Sequence, residues 1–141
     1  MALTVRPGPS ASSHRADRIL VIEDEEPLRR ALSVSLQAHG FEVVALGTGE
    51  EGVACAGGFD PTCVLVDLNL PGVTGTQVVW TLRRQTDTRI VAMSADTATD
   101  ARSKVLAAGA DAFLPKPFSM RTLLNHVRHL PRDDRDAEEG R

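Results

Sequence analysis

Five short apolar runs, rich in β-branched residues and without polar alternation, constrain this chain more than any other feature. They are Ile19 to Ile22 before Glu23-Asp24, Val43 to Leu46 before Gly47, Cys63 to Val66 before Asp67, Ile90 to Met93 before Ser94, and Ala112 to Pro115 before Lys116. Runs of this kind predict strands buried on both faces, the signature of a parallel sheet. In an open α/β sheet, functional groups collect beyond the carboxyl ends of the strands. The acid pair, the lone acid, the hydroxyl and the lysine that close four of the runs are therefore expected to meet at one crevice.

Helical punctuation separates the runs. Pro27 and Gly40 bracket a first helix with Leu28, Leu32 and Leu36 on one face. A second, from about Thr48 to Ala56, is expected to stop at Gly57-Gly58, and a third begins after Gly75 with Val78, Val79 and Leu82 inward. Thr97 with Asp100 offers a capping box for a fourth that closes at Gly109, and Ser119 caps a fifth carrying Leu123, Val127 and Leu130. Five βα repeats with short loops predict a doubly wound α/β fold with right-handed crossovers. A chain of 141 residues suits one such domain and leaves no room for a second. Residues 1–17, with Pro7, Gly8, Pro9 and an aperiodic Ser/Ala stretch, and the highly charged residues 131–141 read as disordered tails around a domain at 18–130.

A net charge of -3 creates no global field for nucleic acid or an anionic membrane, so any phosphate chemistry must be local. Cys55 and Cys63 lack metal or redox spacing and read as reduced thiols. With no signal-peptide core and no membrane-length apolar run, the expected location is cytoplasmic.

Gathering Glu23, Asp24 and Asp67 at one sheet edge would cost about 3 kcal/mol per pair at roughly 5 Å if the effective dielectric is near 20. A cation is required. Hard oxygen ligands with positions left for water and a phosphate oxygen suit Mg²⁺ better than a metal that prefers His or Cys. Lys116 adds a fixed positive charge for a phosphoryl oxygen, and the Ser94 hydroxyl can donate to another. The set suits a phosphorylated aspartate, with Asp67 as the nucleophile.

The strings ILVIEDEEPLRRAL, VLVDLNLPGVTG, IVAMSA and AGADAFLPKPF closely resemble the receiver domain of bacterial two-component response regulators, over about Arg18 to Leu130. The resemblance implies a flavodoxin-like five-stranded parallel sheet in order 2-1-3-4-5 with five helices. It implies Asp67 as phosphoacceptor, Glu23 and Asp24 as the acidic pair, and the backbone carbonyl of Asn69 as a further Mg²⁺ ligand. Lys116 would pair with the phosphate, Ser94 and Phe113 would be switch residues, and the Lys116-Pro117 bond would be cis. Three departures stand out: Ser94 for the commoner Thr, Thr74 where an Asp often precedes the loop glycine, and Glu at position 23 for Asp. Serine keeps the hydroxyl but loses the methyl group that limits its rotation. The implied protein is a regulatory phosphoacceptor rather than an enzyme, although it would assist its own phosphotransfer and dephosphorylation. Its phosphodonor would be a histidine kinase or phosphotransfer protein. Its target would bind the face made by the fourth helix, fifth strand and fifth helix, with no direct contact to nucleic acid or membrane. With only eleven residues after Leu130, a stand-alone regulator is expected. A receiver-like docking module that never turns over phosphate is the alternative.

Competing motifs have weaker support. Gly47-Thr48-Gly49-Glu50-Glu51-Gly52 matches a dinucleotide-binding fingerprint, with Asp67 some 20 positions on, but Glu50 and Glu51 would repel a pyrophosphate at the helix start. An aspartate-nucleophile phosphatase would want a second carboxylate where Asn69 stands. His126 and His129 read as a solvated helix face rather than a metal pair, Trp80 as half-buried packing, and Phe113 equally as core or switch.

Overall fold

A computed structural model describes residues 17–96 and 98–128. In chain order the elements are β1 (Arg18–Ile22), α1 (Glu26–Ala38), β2 (Glu42–Leu46), α2 (Gly49–Phe59), β3 (Cys63–Asp67), α3 (Gly75–Gln85), β4 (Arg89–Ser94), α4 (Thr99–Ala108), β5 (Ala112–Pro115) and α5 (Met120–Val127). The five strands form one sheet in the order β2-β1-β3-β4-β5, and every pairing is parallel.

Alternate strand residues face opposite sides, so each run feeds two hydrophobic layers. Leu20, Ile22, Val64, Val66 and Ile90 pack under α2, α3 and α4 with Ala56, Val78, Val79, Leu82 and Val105. Ile19, Val21, Leu65, Val91 and Leu114 pack under α1 and α5 with Leu32, Leu36, Leu123 and Val127. This double burial explains why β1, β3 and β4 carry no polar alternation. At the edge, β2 departs from that expectation and is only half-buried, because no strand lies beyond it.

The chain leaves β1 for one side of the sheet and returns to β3 on the other, so the β1–β3 boundary is the topological switch point. Loops diverge there and leave a crevice beyond the strand ends. In register Ile22 lies beside Val66, Asp67 beside Met93, and Ser94 beside Pro115. The polar residues that end the runs therefore arrive on neighbouring strands.

Two helix boundaries differ from the sequence reading. Instead of stopping at Gly57-Gly58, α2 continues to Phe59 and ends at Asp60 in the left-handed conformation (φ 55°), whose amide binds the Ala56 carbonyl at 2.9 Å. The glycines cost helix propensity, but Phe59 beyond them packs on the core and under the Arg18 guanidinium, which offsets that cost. The capping box proposed for α4 rested on Thr97, which lies outside the described residues. Its N-cap is Ala98, without a side-chain cap, and Asp100 pairs instead with Lys104 at 3.5 Å. The closing glycine is as expected, Gly109 at φ 125°. For α5, Ser119 accepts from the Thr122 amide as its cap, and Leu130 lies outside the described residues, as do both proposed tails except Asp17.

The glycines of the fingerprint-like motif are accounted for by packing. A Cβ on Gly49 would run into Val78 and one on Gly52 into Ile22, so they let α2 sit close to α3 and β1. The tightest approach to backbone is at Gly75, the first residue of α3, where a Cβ would collide with the main chain of Asp67 and Leu68. By contrast, Gly58 has open space around it within a helix. Gly75→Ala is expected to lower unfolding free energy by about 2 kcal/mol or more through overpacking, whereas Gly58→Ala should raise it by about 0.5–1 kcal/mol. Urea titration of both variants against the parent chain checks the pair.

Candidate functional site

Glu23 extends β1 by one residue, its amide donating to the Leu46 carbonyl at 3.0 Å. Its side chain is turned into the protein and the residue is 1% exposed, whereas the next residue, Asp24, is exposed. Asp67 ends β3 at 3% exposure, and its Oδ1 accepts from the Asn69 amide at 3.1 Å. One carboxylate oxygen from each of Glu23, Asp24 and Asp67 lies within 4.8 Å of the others. The three acids from two strand ends thus form a single cluster.

Lys116 follows β5, and its amide donates to the Ser94 carbonyl at 2.8 Å, which aligns it with the end of β4. From that anchor Nζ donates to Glu23 Oε1 at 3.0 Å and approaches Asp67 Oδ1 at 3.5 Å. The Lys116-Pro117 peptide is cis. Ser94, fully buried at the end of β4, accepts on Oγ from the Asp96 amide at 2.9 Å. A cleft of about 250 Å³ beside it is walled by Leu68, Asn69, Thr76, Asp96 and Lys104. Glu23, Asp24, Asp67 and Lys116 form one cluster, and Ser94, whose carbonyl accepts from the Lys116 amide, lines the cleft. Phe113 lies apart, packed into the α2–α3–α4 layer with the Arg102 guanidinium 6.0 Å from its ring centre.

The charges are not balanced by protein alone. Burial drives the Glu23 carboxyl up to about 7, and nearby Asp67 pushes the same way, although the bond from Lys116 opposes both. Burial works against the Lys116 ammonium, but its contacts with Glu23 and Asp67 outweigh this and hold its pKa above the ordinary lysine value. One lysine against three acids leaves excess negative charge. An all-oxygen donor set with one exposed member fits a hard divalent cation that retains water ligands, so the cluster could hold such a metal ion.

Several contacts had no clear signal in the sequence. Arg29 Nη1 donates to the carbonyls of Glu23 at 3.0 Å and Asp24 at 3.2 Å, tying α1 to the acid loop. At the far edge of the sheet Arg83 binds Asp111 at 2.6 Å and the Gly109 carbonyl at 2.9 Å, fastening α3 to the end of α4 and the start of β5. A charged residue on a helix carries no indication of which distant carbonyl it will reach. Trp80 is 53% exposed on the outer side of α3, because Val78, Val79 and Leu82 take the inward stripe, and Arg84 stacks 4.6 Å from its ring centre. His126 Nδ1 is 2.9 Å from the Thr122 carbonyl within its own helix, and His129 lies outside the described residues. Cys63 is buried and Cys55 half-buried, and both are free thiols. The start of α2 is taken up by its own residues: Thr48 caps the Glu51 amide, and two glutamates occupy the first turn.

Together these features define a doubly wound parallel α/β domain with an acid-and-lysine centre at its switch point. The chain belongs to the response regulator receiver domain family, whose model matches residues 19–128. This is a regulatory family of two-component systems. Among relatives, the transcriptional regulatory protein KdpE of Mycobacterium tuberculosis is 34% identical over 121 residues, covering 86% of this chain and 54% of that protein. The transcriptional activator protein PfeR of Pseudomonas aeruginosa is 39% identical over 106 residues, covering 75% of this chain and 35% of that protein. The chain therefore spans about half the length, or less, of these curated relatives. Among solved structures, the chemotaxis protein CheY4 of Vibrio cholerae superposes with a TM-score of 0.76 at 29% identity, over 80% of this chain and 97% of that one. A response regulator from Burkholderia pseudomallei, solved with a phosphorylated aspartic acid, calcium ion and citrate, superposes with a TM-score of 0.77 at 25% identity, over 87% and 72%. No helix among the described residues is long and apolar enough to cross a membrane.

Because the Glu23 carboxyl titrates near 7 in the fold against an ordinary 4.5, the folded state holds its proton through that window and the unfolded state does not. Metal-free protein is therefore expected to lose stability as pH rises from about 4.5 to about 7. Denaturant titrations in chelator across that range should show this slope, and Glu23→Gln should flatten it.

Proposed function

We propose that Asp67 is the phosphoacceptor of this receiver domain and that phosphorylation requires Mg²⁺ held by Glu23, Asp24, Asp67 and the Asn69 backbone carbonyl. One observation carries the reading: Lys116, delivered by a different strand, brings its ammonium to 3.5 Å from the Asp67 carboxylate inside an acid cluster suited to a divalent ion. The phosphorylated aspartate and calcium ion in the Burkholderia pseudomallei relative support it.

In the reaction an Asp67 carboxylate oxygen attacks phosphorus of the phosphohistidine on a histidine kinase or phosphotransfer protein. The P–N bond breaks as the O–P bond forms, and the departing imidazole nitrogen keeps the electron pair and takes a proton from solvent. The Asn69 amide, 3.1 Å from Oδ1, fixes the carboxylate, and Lys116 pairs with a phosphoryl oxygen. Mg²⁺, when bound, neutralises charge on the transferring group. Glu23, with its proton-holding tendency, then gives up the proton, so loading of the site is favoured by rising pH.

Output follows from the same contacts. The phosphoryl group offers acceptors to the Ser94 hydroxyl, drawing it toward Asp67 and vacating space into which the Phe113 ring can turn from its place beside Arg102. The face of α4, β5 and α5 thereby changes its affinity for a target protein, and a bias of about 1.4 kcal/mol shifts the two-state ratio tenfold. With no tyrosine hydroxyl at position 113, the ring has no polar tip to favour exposure.

Incubation with Mg²⁺ and a small phosphodonor should add the mass of one phosphoryl group to the parent chain and none to Asp67→Asn. Lys116→Ala should react roughly 10²-fold more slowly, as loss of a fixed charge stabiliser does. An unmodified parent chain would instead favour a docking module that does not turn over phosphate.

A further inference from the structure

Of the five strand ends, that of β2 alone brings no polar side chain to the crevice, since Gly47 follows it. A side chain from elsewhere occupies the position. The half-buried guanidinium of Arg29 lies against Gly47 so closely that a Cβ there would sit 3.1 Å from Nη1. That same nitrogen donates to the main-chain carbonyls of Glu23 at 3.0 Å and Asp24 at 3.2 Å. On the other side of the loop, the Glu25 amide donates to Glu23 Oε2 at 3.2 Å. Two successive peptide planes are thus set by one cation. Glu23 has additional support from burial and Lys116, but Asp24 is exposed and must take its position from the backbone. Repulsion from its acidic neighbours favours moving it outward.

We infer that Arg29, seated on Gly47, is a positioning residue that presets the Glu23-Asp24 loop for the divalent cation. The inference rests on the metal-dependent reading above. Coulomb's law gives it a distinctive sign. Deleting a positive charge near a cation site should tighten metal binding if charge were all that mattered. Deleting a positioning contact should weaken it, since outer contacts that orient ligands change metal affinity by roughly 10- to 100-fold.

The test is calorimetric titration of the parent chain, Arg29→Ala, Gly47→Ala and Asp24→Asn with Mg²⁺. Arg29→Ala is expected to bind roughly tenfold more weakly, with faster hydrogen exchange at the Glu25 amide. At saturating Mg²⁺ its rate of phosphorylation by a small donor should return to within about twofold of the parent, since in a positioning role the loss lies in loading the site. Gly47→Ala keeps the charge but crowds Nη1, so it should weaken binding in the same direction by a smaller factor. Equal or tighter binding by Arg29→Ala overturns the inference. Should that variant fail to fold, Gly47→Ala decides by the same criterion. A parent chain that does not bind Mg²⁺, or an Asp24→Asn variant that binds as tightly as the parent, would instead overturn the metal reading itself.

Discussion

Mutual repulsion among three carboxylates at the β1–β3 boundary is the constraint around which this molecule is arranged. Glu23 and Asp67 are almost wholly buried, and charges removed from water are tolerated only with compensation. The compensation comes from Lys116, which reaches Glu23 across 93 positions of sequence. For that to happen β5 must lie at the sheet edge beside β4, so that the Lys116 amide pairs with the Ser94 carbonyl. Strand order, loop path and charge balance are consequently one requirement. Burial first, and Asp67 after it, still raise the Glu23 pKa against the pull of the lysine, and the three clustered acids suit a divalent metal.

Packing on the two faces prepares that arrangement without taking part in it. The apolar layers set the height of each strand, and Gly75 lets α3 begin directly against the backbone of Asp67 and Leu68. The β3–α3 connection that walls the cleft is thus held from below. At the opposite edge Arg83 and Asp111 fasten the end of α4, while its start has no side-chain cap. The Ala98 amide at that start donates instead to the Asp96 carboxylate at 3.0 Å, and the Asp96 amide to Ser94 Oγ at 2.9 Å.

Much of this was legible in the sequence. The five runs marked all five strands; for β1, β3 and β4 the reason is burial on both faces, while half-buried β2 at the edge kept an apolar run without it. Of the residues ending those runs, the fold brings Glu23, Asp24, Asp67 and Lys116 together. Glycines were less legible. Gly109 ends α4 as expected at a positive φ, yet Gly57-Gly58 does not end α2, because Phe59 beyond them is held by the core. Trp80, large and apolar, is left 53% exposed, since the inward stripe was already occupied.

The sequence by itself determined the periodicities, and with them the ten elements and the polar residues that close four of the five strands. Those signals are local, set by each residue's own preferences and its near neighbours. Only the tertiary structure decided who meets whom. It buried Glu23 while leaving Asp24 in solvent, chose Glu23 and Asp67 as partners of Lys116, and laid Arg29 over Gly47. A side chain's charge can be read from its name, but its partner depends on which strands lie side by side, and that is settled by burying the whole sheet at once.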